Sequence, residues 1–308
     1  MLLLIAVVLA GAILWRALAS RRTERRTAAR LPLGANGIIP GAAPIDLPTA
    51  DARYGVLLLH GFGDTPQALA PLAHALSARG YGVLAPLLPG HGRTVRDFAA
   101  SDADRWITAA RSALTAMRGR YERVGLVGLS MGGALAAVVA SGDAELPALI
   151  LLAPYVDAPP VIRVLARLSP LVRIVTPYLS ADDTRSIHDP VARARSLAYR
   201  ATPPRLLGEL VRLADRARDS LPGITAPTLI MQSRQDNRIA PAVAEHALRA
   251  LGARTKRLEW LEGCGHVVTV DFCRERVAVC VGEWLEAFID ARGDSRQASA
   301  PQGERGIP

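Results

Sequence analysis

Short apolar runs alternate with longer helix-like stretches between residues 54 and 291, and this alternation constrains the fold most. The apolar runs are Tyr54–Leu59, Tyr81–Ala85, Arg123–Val127, Ala148–Leu152, Thr228–Met231 and Arg257–Leu261. The helix-like stretches are Pro66–Arg79, Asp102–Arg118, Met131–Ser141, Pro241–Leu251 and Asp271–Ala291. Short, continuously apolar runs suit strands that are buried on both faces. The pattern therefore predicts an α/β protein with a mostly parallel, doubly wound sheet.

The alternation stops between residues 155 and 222, and this break predicts the domain organisation. Helical apolar spacing continues there in Val161–Leu168 and Leu171–Leu179, but the segment is far longer than an ordinary connection between strands. We interpret it as a helical cap inserted over the carboxyl edge of the sheet, where ligands bind in such folds. The cap would divide the α/β core into residues 53–154 and 223–292, and residues 293–308 are expected to be a flexible tail.

The N-terminus begins with an apolar segment, residues 1–19, followed by a basic and Pro/Gly-rich linker over residues 20–52. No Lys or Arg precedes the apolar segment, whereas a dense arginine cluster follows it. Because basic residues stay on the cytoplasmic side, this order favours an uncleaved membrane anchor with the rest of the chain in the cytoplasm. The alternative is a signal peptide cleaved near Ala17-Leu18-Ala19, which would export the protein. We therefore expect membrane association through residues 1–19.

The net charge of +9 at pH 7 does not indicate a nucleic-acid partner. The excess positive charge is confined to residues 1–30 and 155–222. No aromatic RNA-binding signature and no basic recognition helix accompany it, so we expect no binding to nucleic acid.

The cysteines are Cys264, Cys273 and Cys280. An odd and sparse set is not a disulfide framework, and it is more typical of a reducing compartment. Cys273 and Cys280 would be too far apart along one helix to bridge. We expect no metal site, because no Cys-x-x-Cys pair or paired histidines occur nearby.

The candidate nucleophile is Ser130 in the run Gly128-Leu129-Ser130-Met131-Gly132. A predicted strand leads directly into this run, and a predicted helix follows it. A serine at such a sharp turn sits in strained backbone and needs small neighbours, which the glycines provide. The alternative is a glycine-rich turn in which the serine only caps a helix.

A serine nucleophile needs a base and an orienting carboxylate, which follow it in the order acid, then histidine. His266 comes just after a predicted strand, whereas His188 falls in the cap and His246 inside a helix. Asp236 also follows a strand. Its competitor Asp271 is better explained as the N-cap of the last helix. The predicted triad is therefore Ser130, Asp236 and His266.

An oxyanion hole requires two N–H groups aimed at the developing negative charge. Met131, the residue after the nucleophile, would supply one. Phe62, in the glycine-rich loop after the first predicted strand, would supply the other. We interpret His60 as a structural hydrogen-bonding residue of that loop and His91 as a turn residue.

With these motifs in place, the sequence resembles the monoacylglycerol lipase and small-carboxylesterase branch of the α/β-hydrolases. The matching residues are His60-Gly61-Phe62, Pro89-Gly90-His91-Gly92, Gly128-Leu129-Ser130-Met131-Gly132-Gly133, Asp236, and Gly265-His266-Val267-Val268 with Asp271. The likeness covers residues 54–290. It implies an α/β-hydrolase fold and hydrolysis of a small amphipathic acyl ester through an acyl-enzyme, without a metal or organic cofactor.

Other activities fit the same triad. An acyltransferase, a thioesterase or a serine peptidase would differ only in the pocket under the cap. A non-catalytic binding protein on this scaffold is the non-enzymatic alternative, and it would be expected to lack one of the three triad residues. The sequence leaves the acyl chain length, the leaving group and the oligomeric state open.

Overall fold

A computed structural model describes residues 1–180 and 185–290, with the side chains of residues 2–9 and 290 left out. The tail predicted for residues 293–308 lies outside the described residues. Within them, the strands are β1 Ile45–Leu47, β2 Tyr54–Leu59, β3 Gly82–Ala85, β4 Arg123–Leu129, β5 Leu149–Leu152, β6 Leu179–Ser180, β7 Ala201–Thr202, β8 Thr228–Ser233 and β9 Lys256–Leu261.

The main sheet of the described chain has the strand order β1-β3-β2-β4-β5-β8-β9. All neighbours in it pair in parallel except β1 and β3, which are antiparallel. The mostly parallel sheet predicted from the apolar runs is therefore confirmed. Strand β1 was not predicted, because it is a three-residue edge strand inside a Pro/Gly-rich segment. Strands β6 and β7 form a separate antiparallel pair.

Helices cover both faces of the sheet. Among the described residues they are α1 Leu2–Arg30, α2 Ala70–Ser77, α3 Val95–Ala99, α4 Ala103–Arg118, α5 Met131–Ala140, α6 Pro160–Arg167, α7 Ser169–Val175, α8 Pro190–Arg195, α9 Pro204–Ser220, α10 Pro241–Ala250 and α11 Arg274–Leu285. Successive side chains of β2 enter different cores. Leu57 packs in the core with α4 and α5, and Leu58 packs in the core with α2 and α11. This two-sided burial explains why the strand sequences are continuously apolar.

The segment between β5 and β8 contains the helices α6, α7, α8 and α9. Helix α9 packs against α5, α6 and α7. It is also tied to the core by Glu209, a buried residue that accepts the backbone N–H of Ala103 at the start of α4. Glu209 pairs with Arg205 and Arg212 on its own helix. These contacts hold the inserted helices against the helical layer beside β4.

Helix α1 continues past the boundary that was predicted between the apolar segment, residues 1–19, and the linker, residues 20–52. It continues to Arg30 without a break, so the linker expected over residues 20–52 begins only after it. The physical reason is composition, because Ala, Arg, Leu and Glu are strong helix formers. The second half of α1 docks on the protein: Glu24 pairs with Arg96 at 2.8 Å, and Tyr178 donates to Glu24 at 3.3 Å.

The membrane-spanning anchor predicted for residues 1–19 is not supported. In the described part of the chain, no helix combines the length and the apolar character that a membrane crossing requires.

The cysteines also differ from the expectation of free thiols. Cys264 and Cys273 form a disulfide, with their Cα atoms 5.8 Å apart, and Cys280 is free and buried. The loop after β9 folds back onto the start of α11, so two cysteines nine positions apart meet. A sequence count of cysteines carries no information about this fold-back.

Candidate active site

Ser130 occupies the sharp turn between β4 and α5. Its backbone angles are φ 56° and ψ −115°, a region that costs a non-glycine residue about 1–3 kcal/mol. The neighbouring glycines are sterically required. A Cβ on Gly128 would lie 2.1 Å from the carbonyl oxygen of Gly132, and a Cβ on Gly132 would lie 2.0 Å from the carbonyl oxygen of Leu59. The sequence thus forms this turn only with glycine at both positions.

Backbone hydrogen bonds to β5 and the segment after it hold the strained turn in place. The N–H of Ser130 donates to Leu152 at 2.9 Å, and the N–H of Tyr155 donates to the carbonyl of Ser130 at 3.0 Å. The serine is therefore anchored from both of its peptide groups, and its side chain stands at the carboxyl end of the central strands.

The structure brings Ser130, His266 and Asp236 together in one hydrogen-bonded line. The Ser130 hydroxyl lies 2.8 Å from Nε2 of His266. Nδ1 of the same imidazole lies 2.7 Å from Oδ2 of Asp236. Because a carboxylate only accepts, Nδ1 carries the proton and Nε2 is free to accept from the serine. This is the arrangement in which an imidazole can act as a general base.

Asp236 is held as an ionised group. Burial raises its pKa, but the charge and hydrogen bond of His266 and the N–H groups of Ile239 and Arg238 outweigh that effect, so the pKa lies below its usual value. These two N–H groups reach Oδ1 at 2.9 and 2.7 Å. The amide of Gln232 donates to Oδ2 at 2.9 Å. The carboxylate is thus oriented as well as charged.

Asp271 does not have the role that the sequence suggested. Helix α11 begins at Arg274 with Cys273 as its N-cap, so Asp271 is not the helix cap. Its carboxylate instead accepts backbone N–H groups from the His266 loop and from His188 and Asp189 in the segment between β5 and β8, and it has no hydrogen bond with His266. The preference for Asp236 as the partner of His266 agrees with this geometry.

The other two histidines that follow Ser130 in the chain are not part of the Ser130–His266–Asp236 hydrogen-bond network. His246 is exposed on α10, and His188 lies just before α8, with Nδ1 3.4 Å from the carbonyl of Gly263.

His60 and His91 are buried and support the loop beside Ser130. His60 donates from Nδ1 to Gly61 at 2.9 Å and accepts at Nε2 from the N–H of Leu88 at 3.1 Å. Burial lowers its pKa to about 4, so it is a neutral structural residue at physiological pH. The structural interpretation of His60 is confirmed. Burial likewise lowers the pKa of His91, and the two rings contact each other edge to face at 4.9 Å.

The loop that carries Phe62 passes directly beside the nucleophile. A Cβ on Gly61 would lie 3.5 Å from Cβ of Ser130. The Phe62 ring packs on Phe98 at 4.9 Å, which holds the loop down. Met131 is the first residue of α5, where helix N–H groups and the dipole favour a negative charge. The backbone of both residues is therefore close to Ser130, and their part in an oxyanion hole stays a prediction.

Over the described ranges, no group of three or more His, Cys, Asp or Glu side chains is arranged to hold a metal ion.

Comparison with known proteins gives a family and several relatives. The family model for serine aminopeptidase S33 matches residues 50–272. The chain is 28% identical over 235 residues to the thermostable monoacylglycerol lipase of Bacillus sp. (strain H-257), covering 76% of this chain and 90% of that protein. It is 26% identical over 234 residues to a carboxylesterase of Bacillus subtilis (strain 168), covering 75% and 92%.

Solved structures agree in fold. A structure from work on LipS and LipT, two metagenome-derived lipolytic enzymes, matches with a TM-score of 0.73 and 29% identity, covering 81% of this chain and 99% of that chain. A monoglyceride lipase from Saccharomyces cerevisiae matches with a TM-score of 0.70 at 18% identity, covering 79% and 91%, and at that identity it shows the fold alone. The family match spans most of the chain and includes all three members of the hydrogen-bonded line. The chain therefore has the α/β-hydrolase fold and belongs to the serine aminopeptidase S33 family.

Proposed function

We propose that this chain is a serine hydrolase that cleaves small amphipathic carboxylic esters of the monoacylglycerol and carboxylester type. The observation that carries the proposal is the line from Ser130 through His266 to Asp236, with contacts of 2.8 and 2.7 Å. A hydroxyl alone is a weak nucleophile, and a neutral imidazole held at hydrogen-bonding distance activates it. The relatives that are named as a monoacylglycerol lipase and a carboxylesterase support the ester class.

The first half of the reaction forms an acyl-enzyme. Oγ of Ser130 attacks the ester carbon while Nε2 of His266 takes the hydroxyl proton. The carbonyl oxygen becomes an oxyanion, which the N–H groups of Met131 and Phe62 would stabilise. His266 then gives its proton to the leaving alcohol, and the tetrahedral intermediate collapses. Asp236 stays ionised throughout and balances the charge of the imidazolium.

The second half releases the acid. Water enters the position that the alcohol has left, gives a proton to Nε2 of His266, and attacks the acyl carbon. Collapse of the second intermediate returns the proton to Oγ of Ser130 and frees the carboxylic acid. No metal or organic cofactor takes part in this scheme, which needs only the three side chains and the two backbone donors.

A substrate panel tests whether the protein is an esterase or, as the name of the serine aminopeptidase S33 family suggests, a peptidase. We expect turnover of p-nitrophenyl esters and monoacylglycerols, and no comparable turnover of aminoacyl p-nitroanilides. Release of p-nitrophenol, p-nitroaniline and fatty acid would be measured for the wild type and for S130A. Hydrolysis of acyl thioesters would reveal a thioesterase. Transfer of the acyl group to an added alcohol would reveal an acyltransferase. Faster cleavage of the anilides than of any ester would contradict the proposal.

We also infer that the protein docks on an anionic lipid surface through an apolar face shared by α1, α6 and α7. Large apolar side chains are exposed on all three helices, for example Ile13 at 70% and Leu171 at 64% of full exposure. The further members are Leu14, Trp15, Leu18, Val161, Val164, Leu168, Ile174 and Val175. Helix α1 packs against α7, and its Glu24 accepts from Tyr178, just after α7, at 3.3 Å.

The charges around this apolar face support an anionic lipid as its partner. Exposed arginines accompany the apolar residues on the same helices: Arg16, Arg21, Arg22, Arg25, Arg26, Arg167 and Arg173. Apolar side chains that enter the headgroup region together with arginines that pair with phosphates are typical of interfacial binding. Docking there would bring the cap to amphipathic esters. An orientation with the catalytic body on the cytoplasmic side, as the basic cluster suggested, is part of this proposal.

Vesicle flotation tests the docking face. We expect the full chain to float with vesicles that contain phosphatidylglycerol, less with pure phosphatidylcholine, and less at high salt because arginine–phosphate attraction is screened. The double variant L171D/I174D should lose binding. V279D, at an exposed apolar position of α11, is the matched control and should bind like the wild type. Equal flotation of all three proteins, or no effect of salt, would overturn the inference.

A further inference from the structure

A buried carboxylate outside the triad joins the His266 loop to the cap. Asp271 is fully buried and accepts four backbone N–H groups. Oδ2 accepts from Gly265 at 2.7 Å and from His188 at 2.8 Å. Oδ1 accepts from Asp189 at 2.8 Å and from Phe272 at 2.9 Å. Two of these donors belong to the loop that carries His266, and two belong to the cap segment that follows residue 184.

The same two segments touch at other points. The N–H of Val267 donates to the carbonyl of Ser186 at 2.9 Å. At Gly265 the approach is so close that a Cβ would lie 2.7 Å from that carbonyl oxygen. The hydroxyl of Ser186 contacts Asn237 at 3.1 Å and accepts from Arg238 at 3.0 Å. The cap segment therefore lies against both the His266 loop and the loop that carries Asp236.

The His266 loop is short and is held at both ends. The hydroxyl of Ser233, at the end of β8, donates to the carbonyl of Cys264 at 2.5 Å. The disulfide between Cys264 and Cys273 closes the loop. Between these ends, Asp271 and Ser186 hold the chain at Gly265 and Val267 on either side of His266, and Thr269 donates to the carbonyl of Ala68 at 2.6 Å.

We propose that Asp271 is a positioning residue that holds the His266 imidazole in line between Ser130 and Asp236, with the cap segment 186–189 as part of its support. The inference rests on the proposed function, in which His266 is the base. Moving a catalytic group by about 1 Å costs about 100-fold in rate. A carboxylate that sets the path of the histidine's own loop is therefore expected to act on kcat.

Only a carboxylate satisfies all four donors at this position. An ionised aspartate offers about four acceptor sites on two oxygens, whereas an asparagine offers two and turns an NH₂ group toward the remaining N–H donors. Burial raises the pKa of Asp271, but the N–H groups of Gly265, His188, Asp189 and Phe272 outweigh it and bring the pKa below its usual value. The residue is thus ionised at neutral pH.

The test is D271N, assayed with a soluble p-nitrophenyl ester and with a fluorophosphonate probe. We expect kcat to fall by about 10- to 100-fold with KM little changed, and the rate of Ser130 labelling to fall by the same factor. The matched control is D102N, because Asp102 also accepts a backbone N–H, that of Arg105 at 2.9 Å, but does so as the N-cap of α4 and not in the His266 loop or in segment 186–189. We expect D102N to keep the wild-type kcat.

A lower melting temperature of D271N with an unchanged kcat would overturn the proposal, since the residue would then serve stability alone. If D271N does not fold, G265A tests the same contact from the other side, because its methyl group pushes the cap segment away from the loop. A folded G265A with wild-type kcat would likewise overturn it. An inactive, unlabelled wild type would instead contradict the proposed function, so the two failures are distinguishable.

Discussion

Replacing Ser130 by alanine is expected to lower kcat for ester hydrolysis by about 10⁶-fold, the loss found when the nucleophile of a serine triad is removed. The reason is that Oγ of Ser130 is placed 2.8 Å from the imidazole of His266 at the end of the central strands. Without it, no acyl-enzyme can form, and the remaining backbone donors can stabilise only a direct attack by water. The measurement is kcat on a p-nitrophenyl ester together with covalent labelling by a fluorophosphonate.

The control for S130A is the same substitution at Ser141, the residue that follows α5 at its other end. We expect S141A to be labelled and to turn over ester like the wild type. S130A should remain folded, because the backbone bonds of residue 130 to β5 and to Tyr155 do not involve its side chain. Equal labelling of S130A and the wild type would exclude Ser130 as the nucleophile.

Replacing Asp236 by asparagine is expected to lower kcat by about 10⁴-fold, as in other Ser-His-Asp triads. The amide group can donate to Nδ1 of His266 and so favour the tautomer in which Nε2 carries the proton and cannot accept from Ser130. It also provides no negative charge opposite the imidazolium. The measurement is kcat for D236N at neutral pH with KM determined in parallel.

The same variant should change the dependence of stability on acid. A carboxyl group whose pKa is lower in the folded state stabilises the fold above its unfolded pKa of about 3.9, and this contribution is lost as the pH falls through the folded value. Asp236 is such a group. Urea unfolding of the wild type should therefore show a free energy of unfolding that declines below about pH 4, and D236N should decline less.

For D236N, the contradicting result would be a kcat within tenfold of the wild type. That outcome would mean that another acceptor orients His266. The structure offers Asp271 no such contact, since its oxygens are occupied by backbone N–H groups.

The nucleophile turn and the sheet could be predicted from the sequence because their causes are local. Continuously apolar runs are what a strand buried on both faces requires, and all the predicted strands are present. The glycines around Ser130 are required by contacts between neighbouring elements of a single strand–turn–helix unit. His266 and Asp236 were found because parallel strands bring their carboxyl ends to one edge of the sheet.

The contacts that only the tertiary structure decided join residues that are far apart in the chain. The sequence pattern placed Asp271 at the start of a helix. In the structure, its carboxylate also accepts the N–H groups of His188 and Asp189, which lie more than 80 positions earlier in the chain. The disulfide between Cys264 and Cys273 depends in the same way on how the loop after β9 folds back.

The N-terminal segment shows the same limit. Its apolar and basic residues predicted an anchor and a linker, whereas the structure forms one helix that docks through Glu24, Arg96 and Tyr178. The sequence alone thus determined the sheet, the turn at Ser130 and the identity of the three side chains in the line, because steric and periodic requirements act over a few residues. Only the tertiary structure decided how the segment between β5 and β8, α1 and the His266 loop are held. Hydrogen bonds between segments that are far apart in the chain produce no repeating pattern in the sequence.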